Sequence, residues 1–199
     1  MIDKRFAVRA YCKQLTKSFQ DFMDLTCLPN YTFETKRMNV DAATGAGWGA
    51  FVEHYYDCAT NTHKIRVWED IDNPVLNANY LVFHELTHLV DYDCFVHGDK
   101  NRSLMIRSYS EYHAGQIDLT KLLGKTTVNS IPDFFMSDQI EGIGGRKSVN
   151  EYVGQSLQLV VDLLQRPDFP ANPETLMTVL SSANNYWGRK SICELSQTG

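Results

Sequence analysis

Three residues carry the strongest chemical signal in this chain: His84, Glu85 and His88, in the run His84-Glu85-Leu86-Thr87-His88. In an α-helix residues four apart lie on one face, about one turn from each other, so His84 and His88 can offer two imidazole nitrogens to a single zinc ion. Glu85 sits about 100° round the helix from His84 and is not aimed at that ion. It can instead accept a hydrogen bond from a water held there. Two ligands on one face with a base beside them is the arrangement that zinc-assisted hydrolysis requires. A chain of this composition produces the His-Glu-x-x-His pattern by chance at a rate of roughly 0.008, so the context must separate a metal site from an amphipathic helix with two incidental histidines. Asn73-Pro74 reads as an N-cap and first helical residue. Val82, Phe83, Leu86, Leu89 and Val90 recur at helical spacing, and neither Gly nor Pro stands between Val75 and Phe95. The apolar set can face a core while both histidines point to another side.

A zinc hydrolase usually supplies three protein ligands and leaves a position for water. One class of zinc peptidase takes a third His six residues after the second. Here Cys94 stands at that position and Asp91 at the Gly position of the same motif, so that class does not fit. A Cys94 thiolate is the weaker option, because thiolates are commoner in closed structural sites. Glu111, in Ser110-Glu111-Tyr112-His113-Ala114-Gly115, is the better one. A mid-helix carboxylate facing the interior is costly unless it meets a cation. Ala114 and Gly115 follow on nearly the same face and would let two helices approach closely. A mid-helix Gly costs roughly 1 kcal/mol against Ala and so needs a reason such as tight packing. The plain alternative is a solvent-facing Glu111. His113 and His97 are rivals; His113 lies about 200° round the helix from Glu111, and both read more simply as surface or hydrogen-bonded histidines.

These residues need elements to position them. Residues 3–26 read as an amphipathic helix with Phe6, Val8, Tyr11, Leu15, Phe19, Phe22, Met23 and Leu25 as its stripe. Residues 31–40 can form a strand and 41–49 a loop. A hairpin follows: 48–56, rich in aromatics, a turn over 57–62, and 63–69, where Ile65 and Val67 alternate with Arg66 and Trp68. After the motif helix, a second long helix runs from Arg102 or Ser103 to about Leu123, closed by Gly124. Residues 125–147 read as irregular, 148–165 as a third helix, 173–187 as a fourth, and the last dozen as loose. The fold class predicted is α+β: a small, mostly antiparallel sheet of about three strands packed on the motif helix and further helices. One domain spans 1–199, with a core over about 1–124 and a helical C-terminal part over 125–199.

Composition limits the partners. The formal net charge is −5 and the pI about 5.6, which argues against a general nucleic-acid binder, since phosphate contacts need a basic surface. Lys36-Arg37 and Arg146-Lys147 are short clusters and read as solvated loop residues. No stretch approaches the ~20 apolar residues of a membrane span. The five cysteines, Cys12, Cys27, Cys58, Cys94 and Cys193, are scattered without a Cys-x-x-Cys pair, as free thiols in a reducing compartment would be. With no apolar signal run at the N-terminus, a cytoplasmic location is expected.

Taken together, Ile65-Arg66-Val67, His84-Glu85-Leu86-Thr87-His88 and Glu111-Tyr112-His113-Ala114 resemble a zincin with Glu as third ligand, and within that group the ImmA/IrrE family of small intracellular metallopeptidases. The likeness covers about residues 48–123. The Phe-Ala pair that follows the family's Glu-x-x-Ala is replaced here by Ile117-Asp118. The resemblance implies a zincin fold, Zn²⁺ on His84, His88 and Glu111, and Glu85 as the base that delivers water to a peptide bond. It also implies a protein substrate of the regulator kind, since family members cleave repressor-type regulators in bacteria and mobile elements. Tyr112, His113 and Tyr109 are candidates to stabilise an oxyanion by proximity in sequence, though each is also explained by packing. Asp91, one turn after His88, is placed to hold a ligand histidine from behind, or is a solvated helix-end acid. The 63–69 strand is expected at the edge of the sheet beside the cleft, where an extended peptide could add to it, with Trp48 and Trp68 as possible pocket walls. A catalytically inactive module of the same fold that only binds protein is the alternative, and the intact Glu85 tells against it. A closed structural zinc site is disfavoured, because two His and one Glu leave a position open.

Overall fold

The structure, a computed structural model, describes residues 4–37, 39–40, 47–48, 51–130 and 133–197. The chain begins with α1 (Lys4–Met23), whose buried residues Val8, Cys12, Leu15, Phe19 and Phe22 follow the spacing that puts one face of a helix on a core. Asp24, at φ 56°, ends it. β1 (Tyr31–Lys36) follows. A two-residue ribbon then pairs β2 (Asn39–Val40) with β3 (Gly47–Trp48). Most of the loop expected over 41–49 lies outside the described residues, as does Pro132, and the side chain of Trp48 is not described.

β4 (Val52–Asp57) and β5 (Thr62–Trp68) form the expected hairpin. Its turn is built by Asp57, whose carboxylate accepts from the Ala59 N–H and the Thr60 hydroxyl, and by Asn61 in the left-handed region at φ 50°. The sheet order is β1-β5-β4, with β5 parallel to β1 and antiparallel to β4. Two expectations are corrected here. The three-stranded sheet is mixed rather than mostly antiparallel, and the 63–69 strand is central, not an edge. The charge pattern accounts for the pairing. Glu34 of β1 lies opposite Arg66 and binds both Arg66 (3.1 Å) and Lys64 (2.9 Å) on the outer face of the sheet, while Lys36 reaches Glu53 of β4 (2.8 Å). On the inner face His63, Ile65 and Val67 are buried.

The motif helix starts later than its sequence suggests. Pro74–Leu76 is one 3-10 turn, and Asn77 at φ 42° breaks the path before α2 (Asn79–Phe95) begins. Val82, Phe83, Leu86 and Leu89 are wholly buried, as the spacing requires. Phe83 meets Phe19 and Phe22 edge to face at 5.4 and 5.5 Å, which locks α2 onto α1. His97 and Gly98, both with positive φ, turn the chain into α3 (Lys100–Leu122), capped by the Asp99 carboxylate on the Asn101 and Arg102 N–H groups.

Beyond α3 two readings are overturned. The region expected to be irregular contains a hairpin, β6 (Gln139–Gly142) with β7 (Gly145–Ser148), whose turn uses Gly144 and Gly145 at φ near 90°. α4 (Val149–Leu164) starts on Ser148 with a complete capping box to Glu151. The tail expected to be loose belongs to α5 (Pro173–Gln197). Ile192 and Cys193 from that tail pack with Leu119, Ile140, Val149 and Val153 in a second apolar cluster. The architecture is therefore α+β, five helices with a small mixed sheet and short ribbons among the described residues. α3 joins the parts: Ile117 belongs to the core around α1, α2 and the sheet, and Leu119 to the second cluster.

Candidate metal centre

α2 and α3 pack side by side, and the polar faces of both line one cleft with β4 as its third wall. The cleft encloses about 550 Å³ and contains His84, Glu85, His88 and Glu111. His84 Nε2 and His88 Nε2 each lie 3.6 Å from the same atom, Glu111 Oε2. One ligating atom from each of His84, Glu85 and His88 also falls within 4.8 Å of the other two. Two carboxylates thus compete for the third place, and the hydrogen bonds separate them. Glu85 Oε2 accepts the His54 backbone N–H at 2.7 Å, which turns that carboxylate toward β4. Glu111 Oε2 closes a triangle with both imidazoles. Its 3.6 Å sides are near the roughly 3.4 Å that separates ligands on a tetrahedral zinc with bonds of about 2.1 Å.

The outer partners fix the imidazoles. His84 Nδ1 lies 3.2 Å from Asp118 Oδ2, and Asp118 is gripped by Arg189 of α5 through both oxygens, at 3.0 and 2.6 Å. His88 Nδ1 lies 2.7 Å from the Ser110 hydroxyl. A carboxylate on Nδ1 of His84 calls for the tautomer with its proton there and the Nε2 lone pair turned inward; the Ser110 hydroxyl can accept from Nδ1 of His88 in the same sense. Glu111 Oε2 accepts from Asn185 of α5 at 2.9 Å. The donor set of two imidazoles and one carboxylate, each held by a neighbour, fits a zinc ion.

The electrostatics show a demand for positive charge. Burial opposes charge on His84, but Asp118, Glu111 and Glu85 override it and push its pKa up to about 10. Burial and the charged His84 push His88 down to about 3. The asymmetry follows from what stands behind each ring, a carboxylate for His84 and a neutral hydroxyl for His88. Burial pushes Glu85 up to about 7 against the attraction of His84, and Glu111 adds to the rise. Glu111, though buried, is held far below the usual carboxylate range by its hydrogen bond to His84 and the charge of both histidines. A proton on His84 thus balances the carboxylates around it.

The other sequence candidates stand elsewhere. His113 turns to Asp91, 2.9 Å away, so Asp91 braces α3 rather than a ligand histidine. The Tyr112 hydroxyl accepts from Gln116 at 3.3 Å, and neither Tyr112 nor His113 lines the cleft. Tyr109 is exposed and stacks edge-on with Phe95. Cys94 and His97 are exposed near the end of α2. Trp68 packs on Phe51 and is not a cleft wall. Gly115 does allow a close approach, but to α5: a Cβ there would sit 2.7 Å from the Asn185 carbonyl oxygen. Residues that the sequence reading passed over complete the site: His54, Ser110, Asp118, Asn185 and Arg189. Only Asp118 had a local signal, as a second acid two turns after Glu111 on one helix face.

No protein-family model, curated protein or solved structure matches this chain. Among the described residues no helix is long and apolar enough to cross a membrane.

Proposed function

We propose that this protein is a zinc-dependent peptidase with a zincin-type arrangement, like the ImmA/IrrE family it resembles in sequence. The observation that carries this reading is the convergence of His84 Nε2, His88 Nε2 and Glu111 Oε2 with Glu85 alongside. A bound Zn²⁺ supplies Lewis acidity, which polarises a carbonyl and acidifies a water. His84, His88 and Glu111 would hold it. Glu85 is the acid–base residue: its hydrogen bond from the His54 N–H leaves one oxygen of the carboxylate to take a proton and pass it to the leaving amine. Asp118 and Ser110 keep both imidazoles in the ligating tautomer.

The substrate in this reading is an extended peptide segment of a protein. It lies against β4, whose outer edge meets no other strand among the described residues and borders the cleft, and not against 63–69. The ladder accounts for this. The Trp68 N–H donates to the Phe51 carbonyl, so the main-chain groups of Val52, His54 and Tyr56 point away from β5; of these the His54 N–H is already given to Glu85. All five cysteines are unpaired, which fits a reducing compartment such as the cytoplasm.

Two variants test the reading. Glu85→Gln should retain zinc and lose cleavage by roughly 10²–10⁴-fold. Glu111→Ala should lose zinc affinity by more than the roughly 10–100-fold of an outer-partner change. Full cleavage by the first variant, or unchanged zinc content in the second, would overturn the assignment.

A further inference from the structure

One cation at the cleft has no task in this scheme. Arg107 lies one turn before Glu111 on the same face of α3 and lines the cleft beside Tyr92 and Ser103. An Arg and a Glu at that spacing would ordinarily pair. Here Glu111 Oε2 faces His84, His88 and Asn185 instead. Among the described residues no acid pairs with Arg107, and its side chain is exposed. Arg107 is nonetheless one of the residues that line the cleft. Every other formal charge on the cleft wall, leaving the histidines aside, is acidic: Glu53, Glu85 and Glu111. Glu53 is paired with Lys36, and Glu85 and Glu111 belong to the metal centre, so among the described residues Arg107 is the cation on this wall left to receive a substrate carboxylate.

Resting on the peptidase reading above, we infer that Arg107 receives a carboxylate of the peptide and so sets substrate choice. A planar guanidinium binds a carboxylate with two parallel N–H donors, which gives orientation as well as charge. Arg107 also borders a second hollow of about 250 Å³ between α3 and α5, walled by Leu104, Met177 and Leu180. The residue beside the recognised carboxylate therefore meets an apolar surface. The carboxylate comes either from an Asp or Glu side chain or from the free end of the peptide chain.

The test uses a short-peptide library with the zinc-loaded protein. Matched pairs then replace Asp by Asn and Glu by Gln at each position, and a free C-terminus by an amide. The acidic member of one pair should be cleaved roughly ten- to hundredfold faster in kcat/KM, the range of a charge-assisted contact. In Arg107→Ala that ratio should collapse toward one, and in Arg107→Glu it should invert in favour of a Lys-bearing peptide. Binding of the same pairs to the Glu85→Gln protein, read by calorimetry, should show the same preference without turnover. A preference confined to the free C-terminus identifies the chain end as the source; one at an internal position identifies a side chain. Cleavage without any acidic preference, or a preference that survives Arg107→Ala, overturns the role of Arg107 while leaving the peptidase intact. No cleavage of any peptide by the wild-type protein removes the peptidase reading and this inference with it.

Discussion

Each histidine of the candidate centre depends on one side chain behind it. Asp118 is wholly buried between His84 and Arg189. Replacing it with Asn keeps the shape but weakens the hold on Nδ1 and leaves the Arg189 guanidinium without its counter-charge. Asp118→Asn should therefore lower zinc affinity by roughly 10–100-fold, measured by competition with a chromophoric chelator. It should also destabilise the fold by about 3–5 kcal/mol, because a buried charge loses its partner. Ser110→Ala removes only a neutral contact to His88 and should cost less on both counts. Equal effects of the two would mean that the carboxylate is not what orients His84.

At the scale of elements, the site depends on how closely α5 approaches α3. The contact is made through glycines: a Cβ on Gly188 would lie 2.0 Å from the Tyr112 carbonyl oxygen, with no flexible side chain there to give way. That approach is what brings Asn185 to Glu111 and Arg189 to Asp118. Gly188→Ala would gain roughly 1 kcal/mol in helix propensity but must push the helices apart. Overpacking should win, with a net loss of about 1–3 kcal/mol in chemical denaturation and a parallel fall in zinc affinity. The N-cap of α4 makes a separate test, since Ser148 does not line the cleft. Ser148→Ala should cost about 1 kcal/mol and leave zinc affinity unchanged.

For the whole molecule, the two apolar clusters share α3, and the end of α5 closes the second one. Deleting residues 188–199 removes Arg189, Ile192 and Cys193 together. The shortened chain should lose a single cooperative unfolding transition and bind zinc weakly even though His84, His88 and Glu111 all remain. Calorimetry and a chelator competition would read both effects. A shortened chain with unchanged zinc affinity would show that the C-terminal part does not support the centre.

The sequence alone determined the parts governed by local periodicity. The buried face of α2, most of the stripe of α1, the β4–β5 hairpin and the helices at α3 and α4 follow from spacing within a few residues, because burial acts on whichever face repeats; Phe6, at the start of the α1 stripe, is exposed instead. Glu111 was singled out because a mid-helix interior carboxylate is costly unless it meets a cation; Gly115, which supported the same reading, faces α5 and not α2. What spacing could not reveal was which strands pair and which helices cross. β1 joins β5 in parallel through ion pairs between residues more than twenty-five positions apart, which moved the open edge from 63–69 to β4. The polar tail of α5 reads as loose until Arg189 finds Asp118 in three dimensions. Only the tertiary structure decided the partners behind the two imidazoles, because those contacts come from helix packing, which depends on surfaces far apart along the chain.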